Sequence, residues 1–270
     1  MAWLARLPDA VAELADRWQL SIGEPFDGEG DASWVAPVVR RDGSAAVLKL
    51  GMPHREAEHE TQGLRFWNGD PTVRLFEADD ALGAMLIERC EPGTPLRDLA
   101  EPEQDLVLAL LLPRIWKAPP ADHPFRPLSA MIEEWIAETL TQKAAWDDEE
   151  LVRSGIEMYR RLLDRQPSAV LLATDLHAGN VLRAQREPWL VIDPKPFVGD
   201  PAYDATQHLL NCPGRLRADP LGTITRYAGL LNLEPDRVRR WLFARLAAEP
   251  RENWAGDRWI AVARIIQPRE

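Results

Sequence analysis

Three oxygen-bearing side chains, Asp175, Asn180 and Asp193, follow or interrupt short apolar runs in the second half of the chain. Asp175 and Asn180 lie five residues apart in TDLHAGNVL, and Asp193 follows the apolar residues WLVI. This placement predicts that each side chain lies at the rim of a buried element, where an unpaired carboxylate is costly unless it binds a ligand. Carboxylate and amide oxygens are also the ligands that Mg²⁺ prefers.

An acid, an amide five residues later and a second acid after the next strand form the arrangement that serves phosphoryl transfer in kinases. In that chemistry Asp175 would orient an acceptor hydroxyl and accept its proton. Asn180 and Asp193 would hold magnesium ions on the nucleotide phosphates. The spacing alone occurs by chance in acidic proteins, so the prediction depends on the residues upstream.

Lys49 and Glu60 supply the upstream part of the pattern. Lys49 lies at the end of the strand-like run AAVLKL, directly before its last residue, and Glu60 lies on the helix predicted after it. A strand lysine that contacts phosphates while paired with a helical glutamate completes the set in the expected order. Glu56 and Glu58 are alternatives on the same helix. Glu60 is favoured because its spacing from Leu64 and Trp67 places it on the buried side.

The elements that must position these residues fall into two regions. An amphipathic helix is predicted over 1–20, followed by strand-like runs at Trp34–Val39 and Ala45–Leu50 around the turn signal Asp42-Gly43. A charged helix at about 54–68 and the runs VRLF and AMLIE complete a small antiparallel sheet with one inserted helix. The segment CEPGTPL (90–96) contains two prolines and a glycine, which interrupt both helix and strand, and it is the predicted linker.

Beyond the linker the pattern is helical, apart from the strand-like runs AVLLA, NVL and WLVID that bracket Asp175 and Asn180. The predicted fold class is α+β, with an N-terminal lobe over 1–90, a linker over 91–96 and a larger helical lobe over 97–270. Helices are predicted near 103–116, 128–146, 149–166, 201–211, 221–231, 235–248 and 254–266.

Composition excludes some partners. The net charge of −11 argues against nucleic acid, which requires a basic footprint. It permits a cationic small substrate, although acidity is also a common route to solubility. No apolar run is long enough to span a membrane, and the N-terminus is not a signal peptide, so we expect a cytoplasmic protein. Its two cysteines are expected to be reduced. Oligomeric state is not predicted.

The segments ERCEPGTPL, DLHAGNVL and REPWLVIDPKPFVGDPAYD resemble the aminoglycoside and hydroxyurea antibiotic-resistance kinases, within the protein-kinase-like superfamily. The similarity runs from about Trp34 to Cys212. It implies a bilobal kinase that uses ATP and Mg²⁺, with the nucleotide in a cleft and a small hydroxyl acceptor such as streptomycin. It also implies that adenine binds at the linker near Glu88, Cys90 and Glu91.

The chain departs from the family pattern in three places. Many such kinases have His-Gly directly before the catalytic acid, where this chain has Ala173 and Thr174. The phosphate loop offers Gly28 and Gly30 without a full G-x-G-x-x-G. The second acid is followed by Pro-Lys-Pro, so control by a flipping phenylalanine is not expected.

Other polar residues are assigned structural roles. His177 is expected to be a hydrogen-bonded loop residue and His208 a packed one. Asp200 and Asp204 are expected to cap and anchor a helix that begins at Pro201. Acidic residues predicted in the acceptor walls could bind a polyamine or form solvated helix faces. They are Glu133, Glu134, Glu138, Asp147, Asp148 and Asp204.

Two other functions fit the same pattern. One is a kinase of a metabolic sugar or amino sugar, since fold and motif do not identify the acceptor. The other is a pseudokinase that binds nucleotide without turnover, which the missing His-Gly and the sparse glycine loop would suit.

Overall fold

The computed structural model describes residues 2–26, 33–52, 58–143, 146, 148–164, 169–250 and 259–269. Nine strands, ten α-helices and two short 3-10 helices lie within those ranges. The strands are β1 (Leu20–Ile22), β2 (Ser33–Arg40), β3 (Ala45–Gly51), β4 (Leu75–Asp79), β5 (Ala84–Glu88), β6 (Val170–Leu172), β7 (Val181–Arg183), β8 (Trp189–Val191) and β9 (Phe197–Gly199).

The helices account for most of the second half of the chain. They are α1 (Ala2–Arg17), α2 (Glu60–Trp67), α3 (Glu101–Ile115), α4 (Leu128–Thr141), α5 (Glu149–Asp164), α6 (Pro201–Leu210), α7 (Pro213–Ala218), α8 (Pro220–Leu230), α9 (Pro235–Ala248) and α10 (Ile260–Ile266). This content confirms the predicted α+β class.

The chain divides into two compact units. The N-terminal unit comprises Met1–Leu96 together with Asn180–Lys195, and the C-terminal unit comprises Arg97–Gly179 together with Pro196–Glu270. The hairpin of β7 and β8 therefore belongs to the unit formed by the first part of the chain. A division of the sequence into consecutive segments would have assigned it to the C-terminal unit.

A five-stranded antiparallel sheet in the order β1-β2-β3-β5-β4 forms the centre of the N-terminal unit. The β2–β3 turn follows from its sequence, because Gly43 has a φ of +83° and the Asp42 carboxylate accepts a hydrogen bond from Ser44 N at 2.9 Å. Residues alternate along β3, as in any strand. Ala46, Leu48 and Leu50 join a core that α1 covers.

The other face of the sheet carries a second apolar core, formed by Val47, Leu64, Val73, Met85, Ile87 and Leu190. Val47 of β3 and Leu64 of α2 lie in this core together with Leu190 of β8. Because Lys49 lies two residues after Val47, its side chain projects from the same face. The hairpin joins the unit through backbone bonds from Val73 N to Val191 O at 3.0 Å and from Val191 N to Pro71 O at 3.1 Å.

In the C-terminal unit β6 pairs with β9, directly before α6. The start of α6 is fixed by Asp200, whose carboxylate accepts a bond from Ala202 N at 3.0 Å, and by Pro201 in the first turn. This is the predicted capping role. In the described part of the chain, no helix is both long and apolar enough to cross a membrane.

Some predicted elements were wrong in detail. β1, β9 and α7 were missed, and β4 begins at Leu75 rather than at Val73 and extends into the predicted turn. Residues 54–57 of the helix predicted at about 54–68 lie outside the described residues, and α2 begins at Glu60. Part of the predicted helix at 254–266 likewise lies outside them, as do Gly28, Gly30 and Asp147.

Candidate active site

Lys49 and Glu60 form a buried ion pair in the N-terminal unit. Lys49 Nζ donates to Glu60 Oε1 at 2.7 Å and to Oε2 at 2.8 Å, and the two side chains are 9% and 7% exposed. Burial alone would lower the pKa of Lys49, but the Glu60 and Asp193 carboxylates raise it above its ordinary value. The ammonium group is therefore charged at neutral pH.

Asp193 contacts the same ammonium group through Oδ1, while its side chain remains 42% exposed. Its φ of +52° turns the chain sharply after β8. Asn180 lies on the other strand of the β7–β8 hairpin, across from Ile192, because Val181 pairs with Val191 and Ile192 N donates to Asn180 O at 2.9 Å. The hairpin thus brings the two predicted metal ligands to one end of its ladder.

This donor set fits magnesium. Within the described ranges no group of three or more His, Cys, Asp or Glu could hold a metal by itself. Mg²⁺ is usually held by one or two carboxylates, with waters and substrate phosphates completing the octahedron. Asp193 and Asn180 could supply such a partial set, and nucleotide phosphates would supply further oxygens.

The start of the predicted linker is tied to the hairpin. Arg186, between β7 and β8, bonds both carboxylate oxygens of Glu88 and donates to Gly69 O at 2.8 Å and to Thr72 O at 2.9 Å. Burial acts to raise the pKa of Glu88, but the hydrogen bonds from Arg186 and from Arg74 N, with the charges of both arginines, together outweigh burial and hold that pKa below its usual value. Arg186 therefore fixes the position of the segment after β5.

Cys90 and Glu91 differ in their surroundings. Burial raises the pKa of the Cys90 thiol to about 12, so this half-buried residue behaves as an apolar side chain. It packs against the second apolar core, as do the partly buried Val35 and Ile192. The Glu91 carboxylate accepts a hydrogen bond from Gln185 Nε2 at 3.2 Å.

Asp175 follows a tight turn in the C-terminal unit. Thr174 has a φ of +42°, and Asp175 N donates to Ala173 O at 2.6 Å across it. The buried Asp204 carboxylate accepts hydrogen bonds from Ala173 N at 3.0 Å, Thr174 N at 2.8 Å and Trp116 Nε1 at 3.0 Å. These bonds hold an otherwise unfavourable turn in place.

The Asp175 side chain is held by a residue that the sequence did not indicate. Gln207 Nε2 of α6 donates to Asp175 Oδ1 at 2.7 Å. The available signal was the spacing of Asp204 and Gln207, three residues apart on one helix, which places both side chains on one face. Recognising it required knowing that this face contacts the Asp175 turn.

The two histidines have the structural surroundings predicted for them. His177 Nδ1 accepts from Gly179 N at 3.0 Å, and a Cβ at Gly179 would lie 2.7 Å from the His177 ring. His208 is fully buried, and its Nε2 lies 2.8 Å from Asp105 Oδ1. Cys212, like Cys90, is a free thiol.

The residues proposed as acceptor walls have varied surroundings. Asp204 was wrongly placed in such a wall, because it is 1% exposed and holds the Asp175 turn. Glu134 pairs with Arg126 at 2.5 Å, and Asp148 pairs with Arg264. Glu133 lines a surface pocket of about 320 Å³ between α4 and α5. Its other lining residues are Ile136, Ala137, Leu140, Arg160, Leu163 and Asp164.

Proteins similar in sequence to this chain include two streptomycin 6-kinases. The enzyme from Streptomyces glaucescens is 40% identical over 75% of this chain and 66% of its own length, slightly under two thirds. That from Streptomyces griseus is 38% identical over 91% of this chain and 82% of its own. A hydroxyurea phosphotransferase from Kitasatospora aureofaciens is 34% identical over 97% of this chain and 79% of its own.

Solved structures support the fold. The choline kinase LicA from Streptococcus pneumoniae superposes with a TM-score of 0.67 at 14% identity, covering 96% of each chain. This similarity confirms a protein-kinase-like fold and, at that identity, says nothing about the substrate. The model of the aminoglycoside/hydroxyurea antibiotic resistance kinases matches residues 17–253. Together with the sequence relatives, this match shows that the chain belongs to the aminoglycoside/hydroxyurea antibiotic resistance kinase family.

Proposed function

We propose that this chain is an ATP- and Mg²⁺-dependent kinase that transfers the γ-phosphoryl group to a hydroxyl of a small molecule, an aminoglycoside such as streptomycin. Family membership supports the reaction class, and the names of two relatives support the acceptor. Catalysis by such an enzyme is mainly positioning and neutralisation of phosphate charge.

The observation that carries the proposal is the Lys49–Glu60 pair with Asp193 on the same ammonium group. A buried pair of this kind is weak evidence for stability, because desolvation offsets much of the attraction. It is well suited to phosphate binding, because Glu60 fixes the direction of the lysine. Phosphate oxygens would displace Asp193 from Lys49 and leave that carboxylate available as a ligand.

The remaining roles follow from the motif. Asn180 joins Asp193 as a magnesium ligand. Magnesium, when bound, would neutralise charge on the β- and γ-phosphates. Adenine would bond to the backbone near Glu88, Cys90 and Glu91 and pack on the apolar side chains of Val35 and Ile192. Asp175 orients the acceptor hydroxyl and takes its proton.

The acceptor is tested by incubating the purified protein with Mg-ATP and each of streptomycin, other aminoglycosides, hydroxyurea and amino sugars. ADP release and product mass are measured. We expect streptomycin to gain one phosphoryl group and to give the highest kcat/KM. Asp175→Asn should bind ATP as the wild type does while its turnover falls about a hundredfold or more.

Other outcomes would separate the alternatives. Higher kcat/KM with an amino sugar would replace the antibiotic by a metabolic acceptor. An Mg²⁺-dependent rise in melting temperature with ATP, without product from any acceptor, would identify a pseudokinase and overturn the proposal. A cytoplasmic location, where ATP is available, remains part of the proposal.

A further inference from the structure

Gln207 makes a direct hydrogen bond to the side chain of Asp175. Its amide nitrogen lies 2.7 Å from Asp175 Oδ1, and both side chains are half-buried in the C-terminal unit. The residue is neither charged nor part of the recognised motif. Its contact is nevertheless made to the carboxylate that the proposed reaction uses as a base.

The orientation of the Gln207 amide is determined by its other neighbour. Arg245 Nη2 lies 2.8 Å from Gln207 Oε1, and a guanidinium group can only donate. The amide oxygen must therefore face Arg245, which leaves the NH₂ group facing Asp175. A flipped amide would place two donors against each other on one side and two acceptors on the other.

Arg245 is itself held firmly. It is 5% exposed, its Nε donates to the Glu249 carboxylate, and its Nη1 lies 2.8 Å from Thr206 Oγ1. Its guanidinium group also lies over the Tyr203 ring, 4.8 Å from the ring centre. A buried group with this many partners has little rotational freedom, so the amide that it bonds is held in one orientation.

Helix α6 thus acts on the Asp175 turn at two points. Asp204 binds the backbone of Ala173 and Thr174, and Gln207, one turn later on the same face, binds the Asp175 side chain. The first contact places the turn, and the second sets the direction of the carboxylate.

We infer that Gln207 is a positioning residue: held by Arg245, it binds Oδ1 of Asp175 and so fixes the direction in which the Asp175 carboxylate meets the acceptor hydroxyl. This inference rests on the proposed function, in which Asp175 is the base. A base acts efficiently only when the accepting oxygen is held within hydrogen-bond reach of the proton, and small misplacements are costly in rate.

Gln207→Glu separates positioning from structural support. The glutamate keeps an oxygen for Arg245 but offers Asp175 no donor. If Gln207 had only a structural role, a Gln207→Glu variant that folds would keep wild-type activity. We expect a folded protein whose kcat with streptomycin falls about tenfold or more, while KM for ATP stays within about twofold.

Gln104→Glu is the matched control. Gln104 is a buried glutamine whose Nε2 also donates at 2.7 Å, to Leu99 O, outside the proposed catalytic residues. The same substitution there should lower the melting temperature and leave the kcat of the folded protein unchanged. If Gln207→Glu does not fold, Gln207→Met removes the same donor without adding charge and should show the same loss of kcat.

Combination with Asp175→Asn completes the test. If Gln207 acts through Asp175, Gln207→Glu should reduce kcat less than about threefold in that background. An equal reduction in both backgrounds would overturn the inference, as would a folded Gln207→Glu or Gln207→Met variant with wild-type kcat. Unchanged turnover in Asp175→Asn alone, or no turnover by the wild type with any acceptor, would overturn the proposed function and this inference with it.

Discussion

Lys49 Nζ lies 2.7 Å and 2.8 Å from the two carboxylate oxygens of Glu60, and it contacts Asp193, a residue 144 positions later in the chain. A strand, a helix and a hairpin distant in sequence therefore meet at one ammonium group. Each of the three residues can be altered separately, which makes the proposed nucleotide site open to test.

Glu60→Gln should raise the KM for ATP about tenfold and lower the free energy of unfolding by about 2 kcal/mol, because a charged hydrogen bond to the buried Lys49 becomes a neutral one. Steady-state kinetics and urea denaturation measure the two effects. Glu58→Gln is the matched control, since Glu58 is exposed shortly before α2. A comparable rise in KM for Glu58→Gln would show that the wrong glutamate has been assigned.

Asp193→Asn should raise the Mg²⁺ concentration needed for half-maximal rate about tenfold or more, because a neutral amide is a weaker ligand for a hard cation. Asparagine tolerates the positive φ of this position, so the fold should persist. Magnesium titrations at saturating ATP measure the effect, with the exposed Asp80→Asn as control. Identical titration curves for Asp193→Asn and the wild type would remove Asp193 from the metal site.

Thr174→Gly should be more stable than Thr174→Ala by about 1 kcal/mol, since only the alanine keeps a Cβ in the left-handed region. Both variants lose the same hydroxyl, so their difference isolates the backbone. Urea denaturation measures it. The glycine variant should also retain turnover, because glycine adopts a positive φ without strain and so keeps the turn before Asp175. Equal stability of the two variants would show that the turn carries no strain.

The stability that depends on Asp204 should fall as pH rises. Burial raises the pKa of Asp204 from 3.8 to about 6, although its hydrogen bonds from Ala173, Trp116 and Thr174 oppose the shift. The folded protein then binds more protons than the unfolded chain between about pH 4 and 6. The stability that Asp204 contributes is therefore greatest below about pH 4 and is lost as the pH rises through 6.

Comparison with Asp204→Asn isolates this effect from the other carboxyl groups. The free energy of unfolding of the wild type, minus that of the variant, should fall by about 2 kcal/mol between pH 4 and pH 7 and stay nearly constant above that. Urea denaturation at several pH values measures it. A difference that grows with pH would mean that the three hydrogen bonds outweigh burial.

Sequence patterns predicted the elements whose periodicity is long enough to read. The short apolar runs Trp34–Val39 and Ala45–Leu50 and the Asp42-Gly43 turn predicted the central hairpin correctly. The spacing from Glu60 to Leu64 and Trp67 predicted the buried side of α2, where all three residues are found. The capped start of α6 was predicted from Asp200 and Pro201.

The missed features have short or non-local causes. β1 and β9 are three residues long, so no alternation distinguishes them from loops. They form because their backbone groups make ladder hydrogen bonds to β2 and β6, respectively. The Gln207 contact depends on Arg245 and Glu249, which lie about 40 residues further along the chain and have no signal in the PAYDATQ segment.

The grouping of residues 180–195 with the first 96 residues has a consequence for biosynthesis. A nascent chain that has emerged only as far as Leu96 already contains Lys49 and Glu60. It still lacks Asp193, and it lacks Arg186, which bonds the Glu88 carboxylate. Domains generally fold as units during translation, the N-terminal one first. Here the first unit is finished only after much of the second has left the ribosome, so completion of the sheet-containing unit is postponed to a late stage of synthesis.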